Sequence, residues 1–251
     1  MTTTKGFVRL AAVGDLHYGK TSRGHLQTLF TAVTRAEADV LLLLGDLTDY
    51  GLADEAAELA RELTGGTKIP IIAVLGNHDY EGGAVAEVTR ILTEAGVQLL
   101  DGESVEVLGI GFAGVKGFAG GFGRGVLGPW GEDVVKRFVH EAVNEALKLE
   151  SALARLRTET RIALLHYAPV VETVEGEPRE IYPYLGCGRL EEPLTRYQVT
   201  AVFHGHAHHG KPEGRTANGT PVYNVSMPLL TALNPDQPLR LLDIPITGAA
   251  T

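Results

Sequence analysis

Val40-Leu41-Leu42-Leu43-Leu44-Gly45-Asp46-Leu47-Thr48-Asp49 is the stretch whose reading decides the fold. An unbroken apolar run this short, stopped by Gly-Asp, reads as a strand buried on both faces of a parallel sheet. The same grammar recurs on either side. Residues 7–13 lead into Gly14-Asp15, and 71–75 lead into Gly76-Asn77. Between these runs, 26–38, 53–63 and 84–95 carry alanine, leucine and charge at helical spacing. The order βαβαβα predicts a largely parallel sheet with polar residues at the carboxyl ends of its strands, where open α/β sheets bind ligands.

Further strands are predicted at 105–112, 161–165, 200–204, 221–225 and 239–244. The longest predicted helix, 132–157, keeps one apolar stripe through Val135, Phe138, Val139, Ala142, Val143, Ala146, Leu149 and Leu153. Glu132 and Asp133 at its start and Arg155 and Arg157 at its end complement the helix dipole, so it reads as scaffold. A length of 251 residues with 44% hydrophobic content suits one domain, 1–251, with a core of its own. The lone Cys187 cannot close an intramolecular disulfide, and the first residues carry no secretory pattern. The cysteine fits a reducing compartment or simple indifference to redox state, and a cytoplasmic location is the expectation. The run 41–44 is far short of the roughly 20 apolar residues needed to cross a bilayer, so no membrane role is expected. A formal charge of −9 opposes attraction to a nucleic-acid backbone and favours a small substrate.

Five short runs concentrate metal-binding residue types in chain order: Asp15-Leu16-His17, Gly45-Asp46, Gly76-Asn77-His78-Asp79, His166, and Gly205-His206-Ala207-His208. Alone, each has an ordinary explanation. Asp46 could cap a turn, Asn77 could lie in a loop, and a strand-end histidine is usually a hydrogen-bonded core or rim residue. Together, placed at successive strand ends, carboxylate, carboxamide and imidazole donors suit a pair of borderline divalent ions and the hydrolysis of phosphate esters.

The pattern resembles the calcineurin-like metallophosphoesterase superfamily, and within it a bacterial phosphodiesterase-like branch. The family's Asp-x-His, Gly-Asp-x-x-Asp, Gly-Asn-His-Asp/Glu, His and Gly-His-x-His signatures are matched by Asp15–His17, Gly45–Asp49, Gly76–Asp79, His166 and Gly205–His208. The resemblance implies a four-layer α/β/β/α sandwich of two mixed sheets flanked by helices. It also implies that Asp15, His17 and His208 hold one ion, that Asn77, His166 and His206 hold the other, and that Asp46 bridges them. The ions would be manganese, iron or zinc, since the mixed oxygen and nitrogen donors do not choose among them. A hydroxide between the ions would attack phosphorus in line. His78 would assist the leaving group, its imidazole held by a carboxylate of Asp49 or Asp79.

Phosphodiesters are the favoured substrates, because Gly-Asp-Leu-Thr-Asp-Tyr and Gly-Asn-His-Asp differ from the protein-phosphatase versions of these motifs. A monoesterase or nuclease would use the same site, and a non-catalytic scaffold for a protein partner is the alternative of a different class. Two segments are expected to shape substrate choice: 111–131, rich in glycine and aromatics with Arg124, and 172–190, with Arg179, Tyr182, Tyr184 and Arg189. Such segments could equally pack on themselves. His204 could support a ligand from behind or be a buried strand-end residue, and His209 could approach the cleft. His25 and His140 are expected on helix surfaces.

Overall fold

The computed structural model describes residues 6–19 and 26–245. His25 lies outside them. Two sheets form the centre. The first has the strand order β11-β1-β2-β3-β4, with β1 Phe7–Val13, β2 Val40–Leu44, β3 Ile71–Val74, β4 Gln98–Leu99 and β11 Arg240–Pro245. Its four leading strands are parallel, and β11 closes the edge antiparallel to β1. The second has the order β5-β6-β7-β8-β10-β9, with β5 Glu103–Val107, β6 Ile110–Gly114, β7 Arg161–Leu164, β8 Ala201–His204, β9 Glu213–Arg215 and β10 Pro221–Asn224. Here β6, β7, β8 and β10 run parallel between two antiparallel edges.

Side-chain alternation explains how the layers stack. Ile162 and Leu164 of β7, with Ala201 and Phe203 of β8, face inward to the core shared with the first sheet. The intervening Ala163 and Val202 face outward and join a second core. Helices cover the remaining faces: α1 Gln27–Arg35, α2 Ala53–Gly66, the short α3 His78–Glu81, α4 Val85–Glu94 and α5 Asp133–Arg155, followed by α6 Tyr182–Leu185, α7 Glu191–Arg196 and α8 Met227–Leu233. Leu29, Leu59, Leu63, Val88 and Leu92 of α1, α2 and α4 join the core of the first sheet, while Leu149 and Leu153 of α5 join that of the second. The result is the expected α/β/β/α sandwich. No helix among the described residues is long and apolar enough to cross a membrane.

The structure departs from the periodicity at 105–112. One strand was the expectation, and a hairpin is found. Val107 pairs with Ile110 across a two-residue turn whose Leu108 and Gly109 have φ of 52° and 80°. That is the geometry of a type I′ turn, and leucine is an unusual occupant of its first position, so no turn residue marks the break. The α5 stripe also holds a surprise in Glu145, which is 1% exposed. One of its oxygens accepts the Gly117 amide at 2.8 Å, and the other accepts Lys148 Nζ at 2.7 Å. The carboxylate pins the chain leaving β6 to the outer helix layer.

Candidate functional site

Parallel strands from both sheets end at one seam. Asp15 lies just past β1, Asp46 past β2, Asn77 and His78 past β3, His166 past β7 and His206 past β8. Main-chain bonds stitch these ends together. The Asp15 amide donates to Gly45 O at 2.9 Å, the His17 amide to Asp46 O at 2.9 Å, and the Gly205 amide to His166 O at 3.2 Å. The backbone is also bent to aim the side chains. Asp15, His17, Asp46 and His206 have φ of 57°, 42°, 46° and 70°, a left-handed region that non-glycine residues seldom occupy. Concentration of this strain at one seam marks a place where the surrounding fold dictates conformation for a purpose other than stability.

Two motif glycines are required by close approach. A Cβ on Gly76 would lie 2.2 Å from Asp46 Oδ1, and one on Gly205 would lie 2.3 Å from Asp15 Oδ2. Both neighbours are buried and already bonded, so neither can yield cheaply. Gly76→Ala is therefore expected to cost about 1–3 kcal/mol of stability by overpacking and to displace the Asp46 carboxylate. Denaturant unfolding, read beside a metal titration, checks both effects.

The side chains form two adjoining groups, and a third, His17, Asp49 and His78, overlaps the first. Asp15, His17 and His208 each offer one donor atom, and these atoms lie within 4.8 Å of one another. His208 Nε2 is 3.0 Å from Asp15 Oδ1. Asp46, His166 and His206 form the second group by the same measure. Within it, His166 Nε2 lies 3.3 Å from Asp46 Oδ1 and 3.0 Å from Asn77 Oδ1. The other oxygen of Asp46 is 3.8 Å from His17 Nε2, so this one carboxylate faces both groups.

Carbonyl oxygens set the imidazoles. His166 Nδ1 is 2.9 Å from Leu44 O, His206 Nε2 is 3.2 Å from Tyr184 O, and His78 Nδ1 is 2.7 Å from Asp49 O. A carbonyl can only accept, so each of these nitrogens carries a proton, and the opposite nitrogen is the one left to act toward the site. On His17 the buried Nε2 has no hydrogen-bond partner. A buried orphan nitrogen beside two carboxylates, among oxygen and imidazole donors, fits a borderline divalent cation.

The electrostatics show the same demand for positive charge. Burial alone would raise Asp46, but the charge and hydrogen bond of His166, with the His78 amide, hold its carboxyl well below the usual range. Burial works against protonation of His166 as well, and Asp46 outweighs it, pushing that imidazole up to about 9. His208 is raised chiefly by its hydrogen bond to Asp15. His206 is pushed down to about 4 by burial and by the neighbouring His166. Two carboxylates thus draw protons onto imidazoles, and cation binding at such a set of donors releases those protons.

Other expected residues sit elsewhere in the arrangement. No carboxylate of Asp49 or Asp79 holds the His78 ring: the Asp49 carbonyl does. The Asp79 carboxylate is fully buried and accepts the Gly76 and Thr48 amides, each at 2.8 Å, and the Thr48 hydroxyl at 2.6 Å. It ties the turn after β3 to the loop after β2, and those backbone donors leave it facing away from the imidazole. The Asp49 carboxylate instead lies 3.4 Å from His17 Nδ1. Arg189 donates to Leu127 O at 2.9 Å, and Tyr182 packs against a small cluster of Ala168, Val174, Leu185 and Ala207. Arg124 and Arg179 are exposed.

Their segments are sewn to each other. The Gly120 amide donates to Pro183 O, that of Gly121 to Gly186 O, and that of Gly188 back to Gly121 O, at 2.7–3.0 Å. His204 is buried between Gly205 O and Thr173 Oγ1, and burial pushes it down to about 4. His209 and His140 are exposed.

Sequence reasoning missed Asn224. Its Nδ2 donates at 2.7 Å to the carbonyl of Ala207, the residue between His206 and His208, and its Oδ1 accepts the Ser226 amide at 3.2 Å. An asparagine at the end of a short strand carries no spacing signal, and only the pairing of β10 with β8 brings it to that loop.

A two-sheet sandwich with such donors at the seam defines a metal-dependent phosphoesterase. The chain belongs to the calcineurin-like phosphoesterase family, whose model matches residues 8–210. No curated protein matches its sequence. Among solved structures, the fold is similar to that of a protein of Thermus thermophilus, at 14% identity and a TM-score of 0.58, over 94% of this chain and 98% of that one. It is also similar to a novel phosphatase of Mycoplasma pneumoniae, at 14% identity and a TM-score of 0.51, over 88% and 72%. A candidate 5′-nucleotidase of Staphylococcus aureus, in complex with alpha-ketoglutarate, matches at 15% identity and a TM-score of 0.55, over 87% of this chain and 48% of that one.

Proposed function

We propose that this protein hydrolyses a small phosphodiester with the help of two divalent ions. The observation that carries the proposal is the position of Asp46, whose two oxygens face two separate donor groups at 3.3 and 3.8 Å. In this reading Asp15, His17 and His208 hold one ion, Asn77, His166 and His206 the other, and Asp46 serves both. Manganese, iron and zinc all suit the donors. When bound, such ions polarise phosphoryl oxygens and make water nucleophilic at neutral pH.

The chain's own residues do the rest. The carbonyls of Leu44 and Tyr184 keep the His166 and His206 rings in the tautomers that offer a lone pair inward. The Asp49 carbonyl accepts the Nδ1 proton of His78, so Nε2 is the nitrogen that, carrying a second proton, would pass it to the leaving oxygen and keep the lone pair. His78 is only partly buried, and its ring meets the edge of His17 with centroids 4.5 Å apart, so it stands beside the first donor group with one side open.

The diester preference is supported by the motif wording around Asp46 and His78, and the net charge of −9 weighs against nucleic acid as the substrate. Chromogenic mono- and diester phosphates, offered to protein loaded with manganese and to protein stripped with chelator, test this reading. Metal-dependent hydrolysis, faster on the diester, is expected. Faster monoester cleavage would reassign the substrate class. Absence of metal-dependent hydrolysis of either would turn the assignment to a non-catalytic scaffold.

A further inference from the structure

Among the imidazoles set by a residue outside the two donor groups, His17 differs in its partner. The Nδ1 of His166, the Nε2 of His206 and the Nδ1 of His78 all lie against main-chain carbonyls. His17 Nδ1 instead lies 3.4 Å from a carboxylate, Asp49 Oδ1, while its Nε2 is the buried orphan turned toward Asp46. A carboxylate on the outer nitrogen of a metal-binding imidazole fixes its tautomer, holds the ring in plane and raises its basicity. The Asp49 side chain is 34% exposed and the His17 side chain 24%, so this contact closes the solvent edge of the first donor group.

We propose that the Asp49 carboxylate is a positioning residue for the ion held by Asp15, His17 and His208, acting through His17, and that its role toward His78 belongs to its backbone carbonyl alone. The two ends of one residue thereby serve different parts of the site. The side chain tunes how tightly one cation is held, and the main chain orients the leaving-group histidine. The inference rests on the metal-dependent reading given above. It separates two effects that a carboxylate–His78 pair would merge. Changing the Asp49 side chain leaves the carbonyl in place, so His78 keeps its partner while His17 loses its own.

The test is Mn²⁺ titration of the purified chain by calorimetry, for wild type, Asp49→Asn and Asp49→Ala. Wild type should show two binding events. In the variants one event should weaken by about 10–100-fold, with the other unchanged, and turnover should fall at limiting Mn²⁺ and recover as the metal is raised. Asp49→Asn keeps an oxygen acceptor, so its loss should be the smaller and its fold the safer. In a His17→Gln background the Asp49→Asn change should cost no further affinity, which a merely structural role would not reproduce.

Equal affinities in wild type and both variants would overturn the proposal. So would a fall in turnover that excess Mn²⁺ does not restore, since that would put the carboxylate on His78. A third equivalent of Mn²⁺ lost from the variants, with the first two events intact, would also overturn it, because His17, Asp49 and His78 would then be an ion site of their own. Wild type binding no Mn²⁺ at all would instead sink the metal-dependent reading itself.

Discussion

His78→Ala will lower turnover by about 10²–10⁴-fold, the usual contribution of a positioned proton donor, while metal content stays at the wild-type level. Three features of His78 point to this separation. Its amide donates to Asp46 Oδ1 at 2.8 Å, and alanine keeps that bond. Its ring belongs to neither the Asp15–His17–His208 nor the Asp46–His166–His206 group, but to a third set with His17 and Asp49. Its Nδ1 partner is a carbonyl, which the substitution leaves free to bond water. Turnover with a strongly acidic phenol as leaving group should suffer least, because such an oxygen departs without a proton. Steady-state kinetics with a graded set of aryl esters, together with elemental analysis of the variant, checks both halves. Wild-type turnover, or metal lost in step with activity, would remove His78 from the chemistry.

Asp46→Asn should impair metal binding and turnover together. The substitution keeps one oxygen for the His78 amide but removes the charge that faces both donor groups. Electrostatic stabilisation by a bound ion is worth several kcal/mol, so activity should fall by about 10³-fold or more, and Mn²⁺ titration should show both binding events weakened. A pH signature accompanies the loss. In chelator-stripped wild type, the Asp46 charge raises His166 from 6.5 to about 9. Stability from that pair is therefore complete below the ordinary histidine value and drains away as pH climbs through about 9. Asp46→Asn should flatten that slope. Urea unfolding at pH 6 and pH 9 in the presence of chelator measures it, and an unchanged slope would mean that His166 is not charged by Asp46.

The first sheet was readable because buried parallel strands announce themselves. Apolar runs at 40–44 and 71–74 have no second interpretation once helical spacing separates them, and the Gly-Asp and Gly-Asn punctuation puts their polar residues at one edge. The hairpin of β5 and β6 was hidden because Leu108 adopts a positive φ that its side chain does not advertise. Short helices such as α6 and α7 were hidden because four to six residues give periodicity too little length to register.

At the site the legible part was residue type, and the illegible part was main-chain geometry. No motif reveals that Leu44, Asp49 and Tyr184 contribute carbonyl oxygens, because any residue can supply one. Asp79 was ambiguous for a related reason. A carboxylate next to a histidine in sequence invites pairing, yet the short helix begun at His78 turns it toward the Gly76 and Thr48 amides. Glu145 shares a helical face with Ala142 and Leu149, a position that looks wrong for a charge until the Gly117 amide that it accepts is seen beneath it.

The strips around 120–127 and 183–188 are fastened to one another largely through amides and carbonyls. Their decoration is thereby uncoupled from their framework. Exposed side chains such as Arg124 and Tyr184 can be exchanged without breaking these main-chain links. If these segments border the substrate as proposed, a lineage, or an engineer, could retune which organic group is admitted by editing only such outward positions.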